Sequence, residues 1–260
     1  TVRKYFCKKC GLREEECDHN PYKYKKQEIP VERYFKRALK KLDTRAYPDL
    51  IKGVRGTSNK EHIPENLVKG ILRAKYEVYV NKDGTTRYDM SQLPITHFKP
   101  KEIGTSVEKL KELGYTHSAR GKPLKSEEQV VELKPQDIIL PKSEDAVEEG
   151  AHKVLHRVSQ FVDELLEKFY GVESYYNLKD PSELVGKLVL CLAPHTSAAI
   201  SARIVGFSKT QGFFAHPMLH AATRRDCDGD EACVTLLMDA LLNFSRQYLP
   251  AHRGSTQDAP

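Results

Sequence analysis

No run in this chain approaches the ~18 consecutive apolar residues of a membrane-crossing helix, and the mean hydropathy of its 260 residues is −0.57. The N-terminus, Thr1-Val-Arg-Lys-Tyr-Phe6, lacks the apolar stretch of a secretory signal. It also lacks an initiator methionine and opens abruptly on a cysteine motif, so the chain reads as a fragment or one piece of a split protein, soluble and without a membrane partner. Cysteine is scarce. Of the six, Cys7, Cys10 and Cys17 cluster, whereas Cys191, Cys227 and Cys233 stand in apolar or motif contexts. That distribution excludes a disulfide framework and points to a reducing, cytoplasmic compartment with one metal site. A βαβ setting, which a redox Cys-x-x-Cys needs at its helix start, is missing around Cys7-Lys-Lys-Cys10.

What is present there is a C-x₂-C-x₆-C-x-H arrangement. Two thiolates on a tight turn closed by Gly11, with a second pair from the facing loop, can complete a tetrahedron, so Cys7, Cys10, Cys17 and His19 are the expected structural Zn²⁺ ligands. Charge is uneven. Residues 1–60 carry seventeen Lys and Arg against eight Asp and Glu, net +9, which leaves the other 200 residues at net −3. A basic N-terminal third and an acidic remainder suit a polyanion partner, one part holding phosphates and the other holding metal; a merely solvated basic surface is the plainer alternative.

The acidic end is organised around His216-Pro-Met-Leu-His220-Ala-Ala-Thr-Arg224-Arg225-Asp226-Cys-Asp228-Gly229-Asp230-Glu231. In an extended segment the i, i+2, i+4 spacing turns Asp226, Asp228 and Asp230 to one side. Converging carboxylates repel unless a cation neutralises them, and hard divalent ions, Mg²⁺ above all, suit oxygen ligands. Gly229 lets the backbone bend tightly around an ion or approach a phosphate, and Arg224 and Arg225 stand directly before the cluster. Metal on a reacting phosphate with positive charge beside it is the equipment of phosphoryl transfer. Asp-Gly-Asp is also a common turn or a Ca²⁺-loop fragment. A Ca²⁺ loop needs further oxygen ligands and a late Glu, whereas here the chain runs into an apolar stretch, Cys233–Tyr248, that reads as a helix.

Elsewhere, Val31–Leu42 is an amphipathic helix with Tyr34, Phe35, Ala38, Leu39 and Leu42 on one side. Residues 47–59 form a linker whose Gly53-Val-Arg-Gly56 could cradle a phosphate. Tyr76–Val80 and Thr85–Asp89 read as the arms of a hairpin turning at Asn81-Lys-Asp-Gly84, with Lys69, Arg73, Lys75 and Lys82 as a basic run able to face phosphates. Val107–Leu113 is a short helix closed by Gly114; Gln129–Leu133 and Gln136–Leu140 are strands split by Pro135. Ser143 caps a long helix running to about Tyr170 and ended by Gly171. His152 and His156 lie one turn apart on it, without an accompanying carboxylate motif, and read as surface or packing histidines. From Val185 the chain is β: Lys187–Leu192, a polar loop Pro194-His195-Thr196-Ser197, Ile200–Phe207 and Gly212–Ala215. Short strands joined by loops suit a small barrel better than a βαβ sheet.

The acidic stretch, continued by Leu236-Leu-Met-Asp-Ala-Leu-Leu-Asn-Phe-Ser-Arg-Gln-Tyr-Leu-Pro250, resembles the catalytic motif of the large subunit of archaeal D-family DNA polymerase. The resemblance is collinear over roughly residues 50–260. It takes in Gly70-Ile-Leu-Arg-Ala-Lys75, Lys82-Asp-Gly84, Pro94-Ile-Thr-His-Phe98, Leu192-Ala-Pro-His-Thr-Ser197 and Arg203-Ile-Val-Gly-Phe207. The family usually has Asn in place of Asp226, an acidic residue in place of Ala232 and Met in place of Gln257. It implies an α+β fold: a double-psi β-barrel catalytic core, related to that of multisubunit RNA polymerases, with helical insertions and the N-terminal zinc ribbon. Zinc ribbon and basic helix would span 1–45, a mixed segment 46–142, and the long helix with the catalytic barrel 143–260. It further implies DNA-directed DNA polymerisation with two Mg²⁺ held by Asp226, Asp228 and Asp230, and phosphate or DNA contacts from Arg224, Arg225, His220, Lys75 and Arg73. Partners would be primer-template DNA, deoxynucleoside triphosphate, a small proofreading exonuclease subunit, a sliding clamp and the remaining pieces of the large subunit. Catalytic lysines would come from a second barrel. An RNA polymerase-like barrel joining ribonucleotides, or a non-catalytic zinc-ribbon nucleic-acid-binding module, are the alternatives.

The cysteine pattern carries a prediction of its own. Elemental analysis of the reduced chain should find one Zn²⁺ per molecule, lost in Cys10→Ser while the barrel's thermal transition stays in place, because a site of this size orders little beyond its loops. A reduced preparation without zinc contradicts the assignment.

Overall fold

The computed structural model describes residues 10–11, 30–45, 50–51, 65–143, 147–194, 196 and 198–245. Of the expected zinc ligands only Cys10 falls among them; Cys7, Cys17 and His19 lie outside, as do most of the 47–59 linker, His195 and Ser197.

Among the described residues, eight strands and six α-helices follow in the order α1 (Val31–Leu42), α2 (Leu67–Lys75), β1 (Tyr88–Pro94), β2 (His97–Phe98), α3 (Val107–Glu112), β3 (Val131–Glu132), β4 (Asp137–Pro141), α4 (Ala151–Glu164), β5 (Leu188–Leu192), β6 (Ala199–Ser208), β7 (Phe213–Ala215), α5 (Pro217–Ala222), β8 (Glu231–Leu236) and α6 (Leu237–Asn243). Six strands close a barrel in the order β1-β7-β4-β6-β5-β8, with β8 pairing back onto β1. Only β1/β7 and β4/β6 are parallel; the other four pairs are antiparallel. Exchanging β1 with β6, β4 with β7 and β5 with β8 reproduces every pair and its direction. The barrel therefore has an internal two-fold pattern, three consecutive strands repeated once.

β4 (Asp-Ile-Ile-Leu-Pro) is buried along its whole length, and its alternation sorts two cores. Ile138 and Leu140 join the main core with Leu155, Phe161, Ile204, Val189 and Val234. Ile139 joins Val205 in a second core with Phe98, Leu110, Tyr115, Leu124, Val131 and Leu133. That second core belongs to the insertion between β1 and β4, where β2 and β3 form their own two-stranded sheet. α4 lays Ala151, Leu155, Val158, Phe161 and Val162 against the barrel at helical spacing, touching β1, β4 and β8 as well as α2 and α6.

The structure departs from four sequence expectations. First, 76–80 is not a strand: α2, capped by the Asn66 side chain on Val68 N, ends at Tyr76, and Val78 N donates to Arg73 O. The Asn81–Gly84 turn exists, but it leans on the end of α6, where Ser245 N donates to Asp83 O at 2.6 Å. Second, the long helix begins after Gly150, not at Ser143, and Val147 is fully exposed. Its last stretch, Leu165–Tyr170, is a π-helix ended by Gly171 in the left-handed region. Third, the Cys233–Tyr248 helix opens as strand: Cys233-Val-Thr-Leu belongs to β8, between β1 and β5, and α6 starts only at Leu237. Continuous apolar runs do not distinguish strand from helix, and here the vacant slot in the barrel decides. Fourth, Tyr34 of α1 is exposed while Ala38 and Leu42 are buried.

The two glycines flanking α4 differ in what they forbid. A Cβ on Gly150 would stand 2.1 Å from the Lys142 carbonyl oxygen, whereas Gly171, at φ +69, has nothing within 4 Å. Gly171→Ala should cost about 1–2 kcal/mol, the left-handed penalty alone. Gly150→Ala should cost more, because backbone must move. Urea denaturation of both variants ranks them; equal costs would refute the packing account.

Candidate active site

The acidic motif occupies one mouth of the barrel, in the connection from β7 through α5 to β8. α5 starts at His216, whose Nδ1 accepts from Met218 N at 3.2 Å, with Pro217 at the first helical position. The helix fixes the near end of the loop: Arg224 N donates to Ala221 O and Arg225 N to His220 O, each at 3.0 Å. The far end is fixed by the barrel, where Gln92 N donates to Asp230 O at 3.0 Å and Ser91 pairs with Glu231. Between these anchors, among the described residues, no backbone–backbone hydrogen bond holds 226–229.

The three carboxylates converge, but not along a strand. Residues 223–230 form a loop in which Arg224 (φ 61), Cys227 (φ 63) and Gly229 (φ 110) take left-handed conformations. Cys227 and Gly229 lie between the acids, and their kinks return Asp226, Asp228 and Asp230 to one side, with ligand oxygens all within 4.8 Å of one another. At that separation each like-charged pair repels by roughly 1 kcal/mol at the dielectric of water and about 3.5 at an effective 20. Asp226 and Asp228 are exposed and Asp230 half-buried, so the lower figure is nearer. Arg225 offsets one corner: its Nη1 donates to Asp230 Oδ2 at 3.1 Å while its Nε donates to Arg224 O at 3.0 Å. Burial and then the three neighbouring carboxylates push the Cys227 thiol up. An oxygen-only donor set, open to solvent and short of positive charge, fits a hard divalent cation such as Mg²⁺. It is the one group of three or more potential ligands among the described residues; His152 and His156 form no such group, His152 being buried against Phe207 and His156 facing Leu178 O.

The other sequence candidates are placed differently. His220 is 1% exposed beneath the loop, edge-on to Phe213 at 5.6 Å. Burial holds its pKa below the ordinary value, against an opposing effect from the Leu93 and Ala215 backbone. Arg73 is buried, its guanidinium engaging both Glu65 oxygens, Gly84 O at 3.0 Å and the Phe161 ring face. Lys75 pairs with Glu164, and Lys69 donates to Leu242 O at 3.1 Å. Arg73, Lys75 and Lys69 sit on α2, which packs on α1 and α4.

Two buried charges escaped the sequence reading. Arg87 reaches from the end of the 81–86 turn to Pro194 O (2.6 Å) and Thr196 O (3.2 Å) and pairs with Asp83. Leu192 pairs with Cys233, so this clamp holds Pro194 and Thr196 at the barrel end that carries the acidic loop. Burial works against the Arg87 charge, and Asp83 and Cys233 more than offset it. Asp239, fully buried, accepts from Thr86 N, Asn243 Nδ2 and Thr235 Oγ1, and burial raises its pKa. The Asp83-Gly84 turn was the available signal for the first; nothing local marks the second.

A family model described as "DNA polymerase II large subunit DP2, catalytic domain" matches residues 43–260. The DNA polymerase II large subunit of Archaeoglobus fulgidus is 51% identical over 265 residues, covering 100% of this chain and 23% of that protein. Those of Nanoarchaeum equitans (51%, covering 92% and 20%) and Pyrococcus furiosus (52%, covering 98% and 20%) are equally similar. The chain thus spans about a fifth of the length of these relatives.

The buried imidazole under the loop generates a pH prediction. A histidine with a depressed folded pKa takes its proton more readily when unfolded, so its contribution is present above the ordinary value near 6.5 and is lost as pH falls below it. Denaturant midpoints of the native chain should therefore drop more steeply between about pH 7 and 5 than those of His220→Leu. Parallel profiles would show that His220 takes its proton as readily folded as unfolded, against the burial account.

Proposed function

The chain belongs to the family of the catalytic domain of the DNA polymerase II large subunit, and from that premise we propose that it is the nucleotidyl-transferring segment of a DNA-directed DNA polymerase. The observation that carries the reading is the convergence of Asp226, Asp228 and Asp230 within 4.8 Å on a loop pinned at both ends at a barrel mouth. In the reaction the primer 3′-oxygen forms a bond to the α-phosphorus of a deoxynucleoside triphosphate, the bond to pyrophosphate breaks, and the 3′-hydroxyl proton is lost. Two Mg²⁺ ions, when bound, acidify that hydroxyl and neutralise the leaving pyrophosphate. The three carboxylates would hold them, with Asp230, whose backbone is bonded to Gln92, as the fixed ligand, Asp228 beside it and Asp226 as the third. Arg224 and Arg225 orient the triphosphate, and His220 acts from below by giving the loop its footing. Lys75 lies on the α2 surface, where contact with a DNA backbone is open to it; Arg73 supports that helix from within.

The pairing symmetry of the barrel supports a double-psi description, two interlocked copies of one three-strand motif. In the three-part division at residues 45 and 142 the middle part is part of the barrel, a reading supported by β1 and β4, which come from it and pair with strands of the last part. The Cys7, Cys10, Cys17 and His19 ribbon is a structural Zn²⁺ unit beside a basic helix. Primer-template DNA and nucleotide are the substrates; the rest of the large subunit, a small proofreading exonuclease subunit and a sliding clamp are the partners. No helix among the described residues is long and apolar enough to cross a membrane.

Asp228→Asn and Asp230→Asn keep shape and remove charge. In the assembled polymerase each should lower the single-turnover rate of primer extension by about 10³-fold or more, with DNA affinity by filter binding nearly unchanged because basic residues elsewhere carry it. Asp226→Asn should be milder, since it keeps an oxygen. Native-rate extension by both of the first two would reduce the triplet to a turn.

A further inference from the structure

The acidic loop already contains a cation. Arg225 is held over Asp230 by two hydrogen bonds that fit one rotamer, Nη1 to Asp230 Oδ2 at 3.1 Å and Nε to Arg224 O at 3.0 Å, with both side chains about one-third exposed. Asp226 and Asp228 have no ion pair among the described residues, although the exposed Arg224 stands two residues from Asp226. Resting on the polymerase reading of this site, we propose that Arg225 is a built-in counter-ion: it occupies Asp230 until a divalent cation takes its place, and the released guanidinium then serves the triphosphate of the incoming nucleotide.

The geometry makes this exchange local. Asp230 Oδ2 accepts from the guanidinium, so the lone pair used there is closed to an ion, and the guanidinium charge at that distance opposes the approach of any cation to Asp230. The other Arg225 tie, to the Arg224 carbonyl, involves no group of the triplet and can survive a swing of the outer nitrogens. Because Arg225 N is bonded to His220 O and Asp230 O to Gln92 N, the backbone on both sides stays fixed while the side chains change partners. Binding of metal and release of Arg225 are then one equilibrium, and metal loading favours nucleotide binding through the same residue.

The sign of one substitution tests it. Mn²⁺ affinity of the full-length chain is measured by isothermal titration without DNA or nucleotide, and nucleotide KM by primer extension. Arg225→Ala should tighten Mn²⁺ by about 1.5- to 5-fold, the worth of an exposed ion pair, and raise nucleotide KM. Arg224→Ala removes the same charge without the bond to Asp230 and should change Mn²⁺ affinity less. If Arg225→Ala disturbs the loop, Arg225→Lys, unable to hold Asp230 and Arg224 O together, should still bind Mn²⁺ more tightly than the native chain. Unchanged or weaker Mn²⁺ binding in these Arg225 variants overturns the counter-ion role, as does an equal gain in Arg224→Ala. A native chain that binds no Mn²⁺ overturns the metal-site reading itself, and this inference with it.

Discussion

Three like charges are kept together because neither end of their loop can retreat. β8 pairs with β1 on one side and β5 on the other, and its first residues anchor Asp230 to Gln92. α5 anchors Arg224 and Arg225 from the other direction. Relieving a few kcal/mol of repulsion by spreading the carboxylates would require breaking strand pairing that closes a barrel. Each backbone bond contributes about 1 kcal/mol net, and opening the barrel would expose the core beneath it. The repulsion therefore stays in the loop, where a cation can relieve it. The bonds missing from 226–229 let that segment adjust around an ion, while its ends do not move.

The rest of the chain can be understood as meeting the demands of that closure. Parallel neighbours cannot be joined by a tight turn, so β1/β7 and β4/β6 require long connections. α4, which seals one side of the barrel, lies in the β4-to-β6 route. The insertion between β1 and β4 leaves and re-enters the barrel at the acidic mouth, and it is stable enough to stand there because it has its own core, joined to the barrel through Ile139 and Val205. The buried charges do similar work. Arg87 ties Pro194 O and Thr196 O to the 81–86 turn, and Asp239 ties Thr86 N and the Thr235 hydroxyl of β8 to α6. Burying them is tolerable because each has several partners of opposite polarity.

That division also explains what could be read from residues alone. α1, α3, β4, β5, β6 and β7 follow from period and turn chemistry, since each is bounded by Gly, Pro or a capping Ser and its apolar spacing is unambiguous. β8 was hidden because Cys233-Val-Thr-Leu-Leu-Met is apolar throughout; only the β-branched Val234 and Thr235 hinted at strand. The start of α4 was hidden because Val147 continues the helical pattern but faces solvent, and the contact that excludes an earlier start, Lys142 against Gly150, is tertiary. The acidic triplet was legible as chemistry yet wrong in mechanism of convergence: spacing alone suggested a strand, and left-handed Cys227 and Gly229 achieve the same result. Arg73 and His220 looked like free cationic groups because sequence shows charge without burial.

Asp226 brings these threads to one place. The resemblance drawn from the sequence implies Asn at that place in the family, and against that expectation this sequence adds a negative charge to a pair of carboxylates. Arg225 is spent on Asp230, at the opposite end of the triplet, and cannot offset it. The added carboxylate is exposed, which keeps its cost small in the absence of metal, because water screens it. Close to a bound divalent ion the same carboxylate counts for more, since a chelated cation interacts with it at contact distance with little water between. Under the proposed metal-site reading, Asp226 would therefore shift the balance toward the metal-loaded state without needing any change in the barrel. Such a substitution is tolerated at an exposed position on the unbonded part of the loop: the anchors at Arg224, Arg225 and Asp230 set its path, and under the proposed metal-site reading the third acid would tune affinity.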